Sequence, residues 1–218
     1  MRLSRGGARR RVLGLIGSVV VIGLAASCTG TNASAWVGST DPSDPVLVVN
    51  ADSITYHSYA ELMAVFGPDH RMKVDARVNA RADEHLAQTL LYDEIDPTVA
   101  LFLLATNDLA QGQGAANARA DQGQATRNYG TSLECVVYMT VFGDLHAQLV
   151  DNPEVDAYNA EIRALDGATV DGVRIQVADW EQAVLAAGPA NVIADDVHPN
   201  DAGAALFVDV VAGAVDDC

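Results

Sequence analysis

Ser53 and His198, with Asp195 three residues before the histidine, are the side chains whose types and spacing could do nucleophilic chemistry together. A serine hydroxyl is a weak nucleophile. It needs an imidazole within hydrogen-bond reach, and a third group that holds the ring in the right tautomer. In Asp195-Asp196-Val197-His198-Pro199-Asn200, a spacing of three across a turn lets the Asp195 carboxylate reach the Nδ1–H. Nε2 is then free to face a serine. Asn107, in Leu104-Ala105-Thr106-Asn107-Asp108, offers a neutral amide that could donate to a developing oxyanion without competing for the histidine's proton. The chemistry that such a set supports is attack on an acyl carbonyl. His57, His70, His85 and His146 have no Cys or His at ligand spacing, so neither a metal nor another cofactor is expected.

These residues need a scaffold that brings them together. Val46-Leu47-Val48-Val49 is a continuous apolar run rich in β-branched residues, the pattern of a strand buried on both faces. It breaks into Asn50-Ala51-Asp52-Ser53, which delivers Ser53 to the carboxyl end of the strand, where open parallel sheets bind ligands. Further strand-like runs are Met72–Ala76, Val99–Leu104, Val136–Phe142 and Val173–Val177. Helix-like stretches lie between them: Tyr59–Phe66, Ala82–Tyr92, Asn117–Leu133, Glu154–Leu165 and Trp180–Ala187, with Asp201 to about Val215 last. The alternation predicts an α/β fold, a three-layer α/β/α sandwich around a parallel sheet of about five strands. Asp179 and Asp201 are the expected caps of the two final helices, and Gly112–Gly123 is expected to begin as a loop. Trp180 reads as core packing.

The N-terminus reads as an export signal. Arg2, Arg5, Arg9, Arg10 and Arg11 precede an apolar run from Val12 to Ala26, which ends in Leu24-Ala25-Ala26-Ser27-Cys28. The last five residues resemble a bacterial lipobox, which implies cleavage before Cys28 and lipidation of its thiol. Residues 1–27 are thus expected to be a signal peptide, 28–45 a flexible Ser/Thr/Gly/Pro tether, and 46–218 the single folded domain. All 29 acidic residues follow Cys28, against eight of the 13 basic ones, a formal charge of −21. Such a surface repels nucleic acid. The expected partners are an ester substrate and the membrane that holds the lipid; the domain itself is expected to be a monomer. With Cys28 lipidated, Cys135 and Cys218 remain as an even pair in an oxidising compartment, and a disulfide between them is expected.

The three polar blocks together resemble the SGNH (GDSL-type) hydrolases, over the whole span from Val46 to about Val215. Asn50-Ala51-Asp52-Ser53-Ile54 matches the nucleophile block, Leu104-Ala105-Thr106-Asn107-Asp108 the Gly-x-Asn-Asp block, and Asp195–His198, with Gly203 following, the Asp-x-x-His block. The resemblance implies a flavodoxin-like sheet. It makes Ser53 the nucleophile, His198 the base and Asp195 its orienter, with oxyanion donors from the Ser53 N–H and Asn107. The implied activity is a serine esterase or lipase-like hydrolase of sugar, cell-wall or lipid acyl esters, or an acyltransferase. Ala51 and Ala105 stand where the family has glycine. Asn79 stands where an oxyanion-hole glycine is expected, with Ala80 as the other register, and Asn tolerates φ > 0 better than most residues. These departures keep open a non-catalytic accessory lipoprotein with a degenerate site.

Overall fold

The computed structural model describes residues 32–218. The signal segment and Cys28 lie outside the described residues. Among the described residues, seven strands form one sheet: β1 (Asn32–Gly38), β2 (Val46–Ala51), β3 (Arg71–Arg77), β4 (Val99–Leu103), β5 (Cys135–Met139), β6 (Thr169–Val170) and β7 (Val173–Ala178). The helices are α1 (Ser53–His57), α2 (Tyr59–Phe66), α3 (Ala82–Thr89), α4 (Thr106–Ala110), α5 (Ala115–Asn128), α6 (Pro153–Arg163), α7 (Trp180–Ala187), α8 (Pro189–Val192) and α9 (Asp201–Asp216).

The strand order is β1-β3-β2-β4-β5-β7-β6. The five central strands are parallel, and β1 and β6 are antiparallel additions at the two edges. The parallel core thus has the flavodoxin-like order, in which the chain leaves β2 toward β3 and returns to β2's other side as β4. Ligands gather at that switch point, outside the strands' carboxyl ends. Ser53 is the second residue after β2.

Two of the seven strands go beyond the five expected. The stretch expected to be a tether becomes β1 from Asn32 onward, paired along the free edge of β3. Ser34, Ala35 and Trp36 are exposed there, and the Arg71 guanidinium lies over the Trp36 ring at 5.6 Å. An edge strand held by backbone pairing needs no apolar face, so its composition is that of a linker. β6 is two residues long and turns into β7 through Asp171-Gly172, both at positive φ (52° and 88°), as a two-residue hairpin requires.

Alternation along β2 sends Val46 and Val48 to one core, with Ala82 of α3, Ala118 and Ala125 of α5 and Tyr158 of α6. Leu47, Val49 and Ala51 go to the other, with Ile54, Leu62 of α2, Trp180 of α7 and Phe207 of α9. Trp180 packs edge-on against Phe207, as core. Burying each valine, leucine, isoleucine or phenylalanine among them is worth about 1.5–3 kcal/mol, and a one-residue slip of β2 would exchange the two sets. Asn50, fully buried, marks the register, because its Oδ1 accepts the Tyr129 hydroxyl at 2.7 Å. That register aims Ser53.

Cys135 and Cys218 are disulfide-bonded with Cα atoms 5.7 Å apart, tying the end of the chain to the start of β5. For a loop of 83 residues the chain-entropy model assigns about 4–5 kcal/mol of stabilisation.

Candidate active site

Ser53 is the first residue of α1, whose N-cap is Asp52. The Asp52 Oδ1 accepts the Ile54 N–H at 2.9 Å. The Ser53 N–H belongs to the first turn, which has no carbonyl acceptors within the helix. His198 sits two residues before Asn200, and Asn200 rather than Asp201 caps α9, accepting the Gly203 N–H at 3.0 Å. Backbone bonds strap the intervening loop down: Ala194 N–H to the His198 carbonyl at 2.8 Å, and Asn200 N–H to the Val192 carbonyl at 3.0 Å.

Across 145 residues of sequence, His198 Nε2 lies 2.9 Å from Ser53 Oγ. On the ring's other side, Nδ1 lies 2.8 Å from Asp195 Oδ2. Asp195 Oδ1 accepts the N–H groups of Val197 and His198, each at 2.8 Å. Partial burial works to raise the Asp195 pKa. The two N–H groups and the imidazole outweigh it and hold the carboxyl at about 2. An acceptor that stays ionised fixes the proton on Nδ1 and leaves Nε2 able to take the serine's. Ser53 is 6% exposed, and the ring edge reaches solvent.

Asn79 has φ 63°, the left-handed region that asparagine tolerates, and is exposed. The segment that follows it is lashed to α4. Asn107 Nδ2 donates to the Ala80 carbonyl at 3.0 Å, and Gln111 Nε2 to the Asn79 carbonyl at 3.3 Å. Asp108 braces the same junction: both its oxygens accept the Ala82 N–H at 3.1 Å, at the start of α3. Ala51 fits as an ordinary buried strand residue. Ala105 does not, having φ 127° and ψ −23° at the N-terminus of α4, a conformation suited to glycine. Relief of strain should therefore offset the lost methyl in Ala105→Gly. That variant is expected within about 1 kcal/mol of the parent in urea unfolding, or above it. Ala118→Gly, equally buried but helical, should lose about 2 kcal/mol. Equal losses would mean that Ala105 stores no strain.

Sequence spacing did not single out His57 or Asp52. His57 packs on His198 with ring centroids 4.7 Å apart, and burial and the His198 ring lower its pKa. It is four residues after Ser53, one helical turn on, so reading α1 as a helix would have found it. Asp52 is fully buried, with its Oδ2 unpartnered, and burial pushes its pKa up to about 7, aided by the Asp108 carboxylate. Because its folded pKa is raised, the native state loses stability as pH rises from the unfolded value near 4 through 7. Asp52→Asn keeps the cap but not the titration. Its stability relative to the parent should be about 2–3 kcal/mol more favourable at pH 8 than at pH 5; a pH-independent difference would refute a raised Asp52 pKa. Among the described residues, no three His, Cys, Asp or Glu side chains are grouped to hold a metal ion, and no helix is long and apolar enough to cross a membrane.

A parallel sheet of this order, with a serine after its first parallel strand and an Asp-x-x-His before its last helix, is the SGNH hydrolase fold. The structures it resembles are hydrolases and transferases of that type. The C-terminal catalytic domain of Streptococcus pneumoniae peptidoglycan O-acetyltransferase A matches with TM-score 0.60 at 20% identity, covering 79% of this chain and 93% of that one. A lipolytic protein of the G-D-S-L family from Veillonella parvula matches with TM-score 0.62 at 16% identity, over 77% and 96%. A catalytic mutant of an acetylxylan esterase from Geobacillus stearothermophilus matches with TM-score 0.61 at 16% identity, over 82% and 95%. No family model and no curated protein sequence matches the chain.

Proposed function

We propose that the protein is a serine ester hydrolase that removes acyl groups, O-acetyl foremost, from carbohydrates or cell-wall polymers outside the cytoplasm. The observation that carries this reading is the pair of contacts of one imidazole, 2.9 Å to Ser53 Oγ and 2.8 Å to Asp195 Oδ2. Ser53 Oγ attacks the ester carbonyl as His198 takes its proton. The oxyanion is met by the Ser53 N–H, the Asn79 N–H and the Asn107 amide. His198 returns the proton to the leaving alcohol, and water, activated by the same imidazole, releases the acid. The likeness to acetylxylan esterase and peptidoglycan O-acetyltransferase domains supports O-acetyl sugars as the substrate class. The transferase likeness also supports a second reading, in which a sugar hydroxyl replaces water as the acyl acceptor. Export and lipid anchoring through Cys28 complete the proposal, in keeping with a disulfide that persists in oxidising compartments.

An aryl organophosphonate tests the chemistry, because only an activated serine is phosphonylated. Stoichiometric labelling of Ser53 by intact and peptide mass is expected. An unlabelled, folded protein would favour the accessory reading. Asn79→Gly tests the oxyanion site. It should raise turnover, most on bulkier acyl esters, at a stability within about 1 kcal/mol of the parent. A fall of ~10-fold or more would instead make the Asn79 amide the donor. No change would remove Asn79 from the site and make Ala80 the next position to test.

A further inference from the structure

We propose a second ligand site, for a medium-chain carboxylate, in a cavity of about 510 Å³ between α5 and the β6–β7 hairpin. Its floor is the sheet face at Tyr138, Val173 and Ile175. Val173 opens β7 and Thr131 and Leu133 precede β5, so most of the lining lies toward the amino ends of the parallel strands, with Tyr138 of β5 reaching further along the sheet. None of Ser53, Asp195 and His198 lines it. The volume is within the range of small-molecule sites.

The charge at its wall is what selects the ligand. The chain is strongly acidic, and three of its arginines, Arg77, Arg81 and Arg163, are ion-paired with carboxylates. Arg71 and Arg174 lack a carboxylate side-chain partner among the described residues but do not line the cavity, whereas Arg119 and Arg127 do. These two are one helical turn pair apart on α5, and among the described residues neither lies within ion-pair distance of a carboxylate. Arg119 donates to Gln122 Oε1 at 2.5 Å and lies over the Tyr138 ring at 5.3 Å, while Arg127 donates to Gln124 Oε1 at 3.1 Å. Amide partners orient a guanidinium and leave its charge unmatched. Asp171 at the hairpin tip is exposed and pairs with neither. Two unmatched guanidiniums above an apolar floor suit an anion that carries an apolar chain, and a carboxylate takes a guanidinium in a two-pronged bond.

Gly123 gives the site a clean block. It lies on α5 between the two arginines, and a Cβ there would meet only Arg127 Nη1, at 3.5 Å. Gly123→Leu should therefore fold, since it favours the helix, and fill the cavity. The probe is octanoate, followed by amide chemical shifts and calorimetry on the purified protein. Saturable shifts should centre on Gly123, Thr126 and Val173. Octanol should bind at least tenfold more weakly and acetate not measurably. Arg119→Gln with Arg127→Gln should weaken octanoate at least tenfold, and Gly123→Leu should abolish it with far-ultraviolet circular dichroism unchanged. Ser53→Ala should leave the affinity as it was, which separates this site from the triad. An unchanged affinity in folded Gly123→Leu, equal binding of octanol, or no saturable shift at the cavity would each overturn the proposal.

Discussion

Ser53→Ala and His198→Ala are each expected to lower kcat/KM on an aryl acetate by about 10⁴–10⁶-fold while the protein remains folded. The reason is that the two act as one unit. Without the imidazole the hydroxyl at 2.9 Å has no acceptor for its proton, and without the hydroxyl the imidazole has nothing to activate. The double variant should accordingly be no worse than either single one. Asp195→Asn should cost less, about 10²–10⁴-fold. The asparagine oxygen can still accept the Val197 and His198 N–H groups, so the loop keeps its shape. Its NH₂ would then face Nδ1 and favour the tautomer that protonates Nε2, the wrong one for a base. Near-parental turnover in either Ser53→Ala or His198→Ala would end the triad assignment. An Asp195→Asn loss that equalled the other two would mean that the carboxylate is needed to hold the ring as well as to set its tautomer.

The parts of this protein that were readable in sequence are those that bury apolar surface. β2 carries side chains into two cores at once and leaves a four-residue apolar signature. Tyr59–Phe66 and Trp180–Ala187 form helices with the bounds their periodicity predicts. The site was readable for a different reason. Ser53 and Asp195–His198 are short polar blocks that interrupt strand and helix patterns, and the parallel sheet brings them within hydrogen-bond reach of each other. β1 and β6 were not readable, because backbone pairing rather than side-chain burial holds them. The cap of α9 is Asn200, one residue before the Asp201 that the sequence suggests, since both are good caps and only the backbone angles choose between them. α1 and α4 are five residues each and too short for any period to show. No sequence pattern therefore marks Asp52 as a helix cap or His57 as a neighbour of the His198 ring.

Among the glycines of the described helices, Gly203 is the one whose replacement by alanine is expected to cost the most stability. Gly203 is the third residue of α9, and its N–H binds the Asn200 cap. A Cβ at this position would lie 1.9 Å from the Val192 carbonyl oxygen and 2.9 Å from Pro199 Cβ. Neither neighbour can yield cheaply. The Val192 carbonyl ends α8 and accepts the Asn200 N–H at 3.0 Å, and Pro199 adjoins His198. To make room, α9 must move off α8 and lose packing of Phe207 and Val211, both fully buried in the core shared with β2. A loss of about 3 kcal/mol follows, at the top of the usual range for overpacked core sites, which lowers the urea midpoint by about 1–2 M. Gly213→Ala, ten residues further along the same helix, is the control. Beyond the backbone of its own helix no atom of the described residues lies within 4 Å of an added Cβ, so relief of glycine's helix penalty should stabilise the protein by about 0.5–1 kcal/mol. The site should report the same asymmetry. The loop that Val192 and Pro199 anchor carries His198, so phosphonylation of Ser53 should slow in Gly203→Ala at urea concentrations where it remains folded, and stay unchanged in Gly213→Ala. A Gly203→Ala protein as stable as the parent and labelled as fast would show that α8 and α9 have slack between them, and that the placement of His198 does not depend on their close approach.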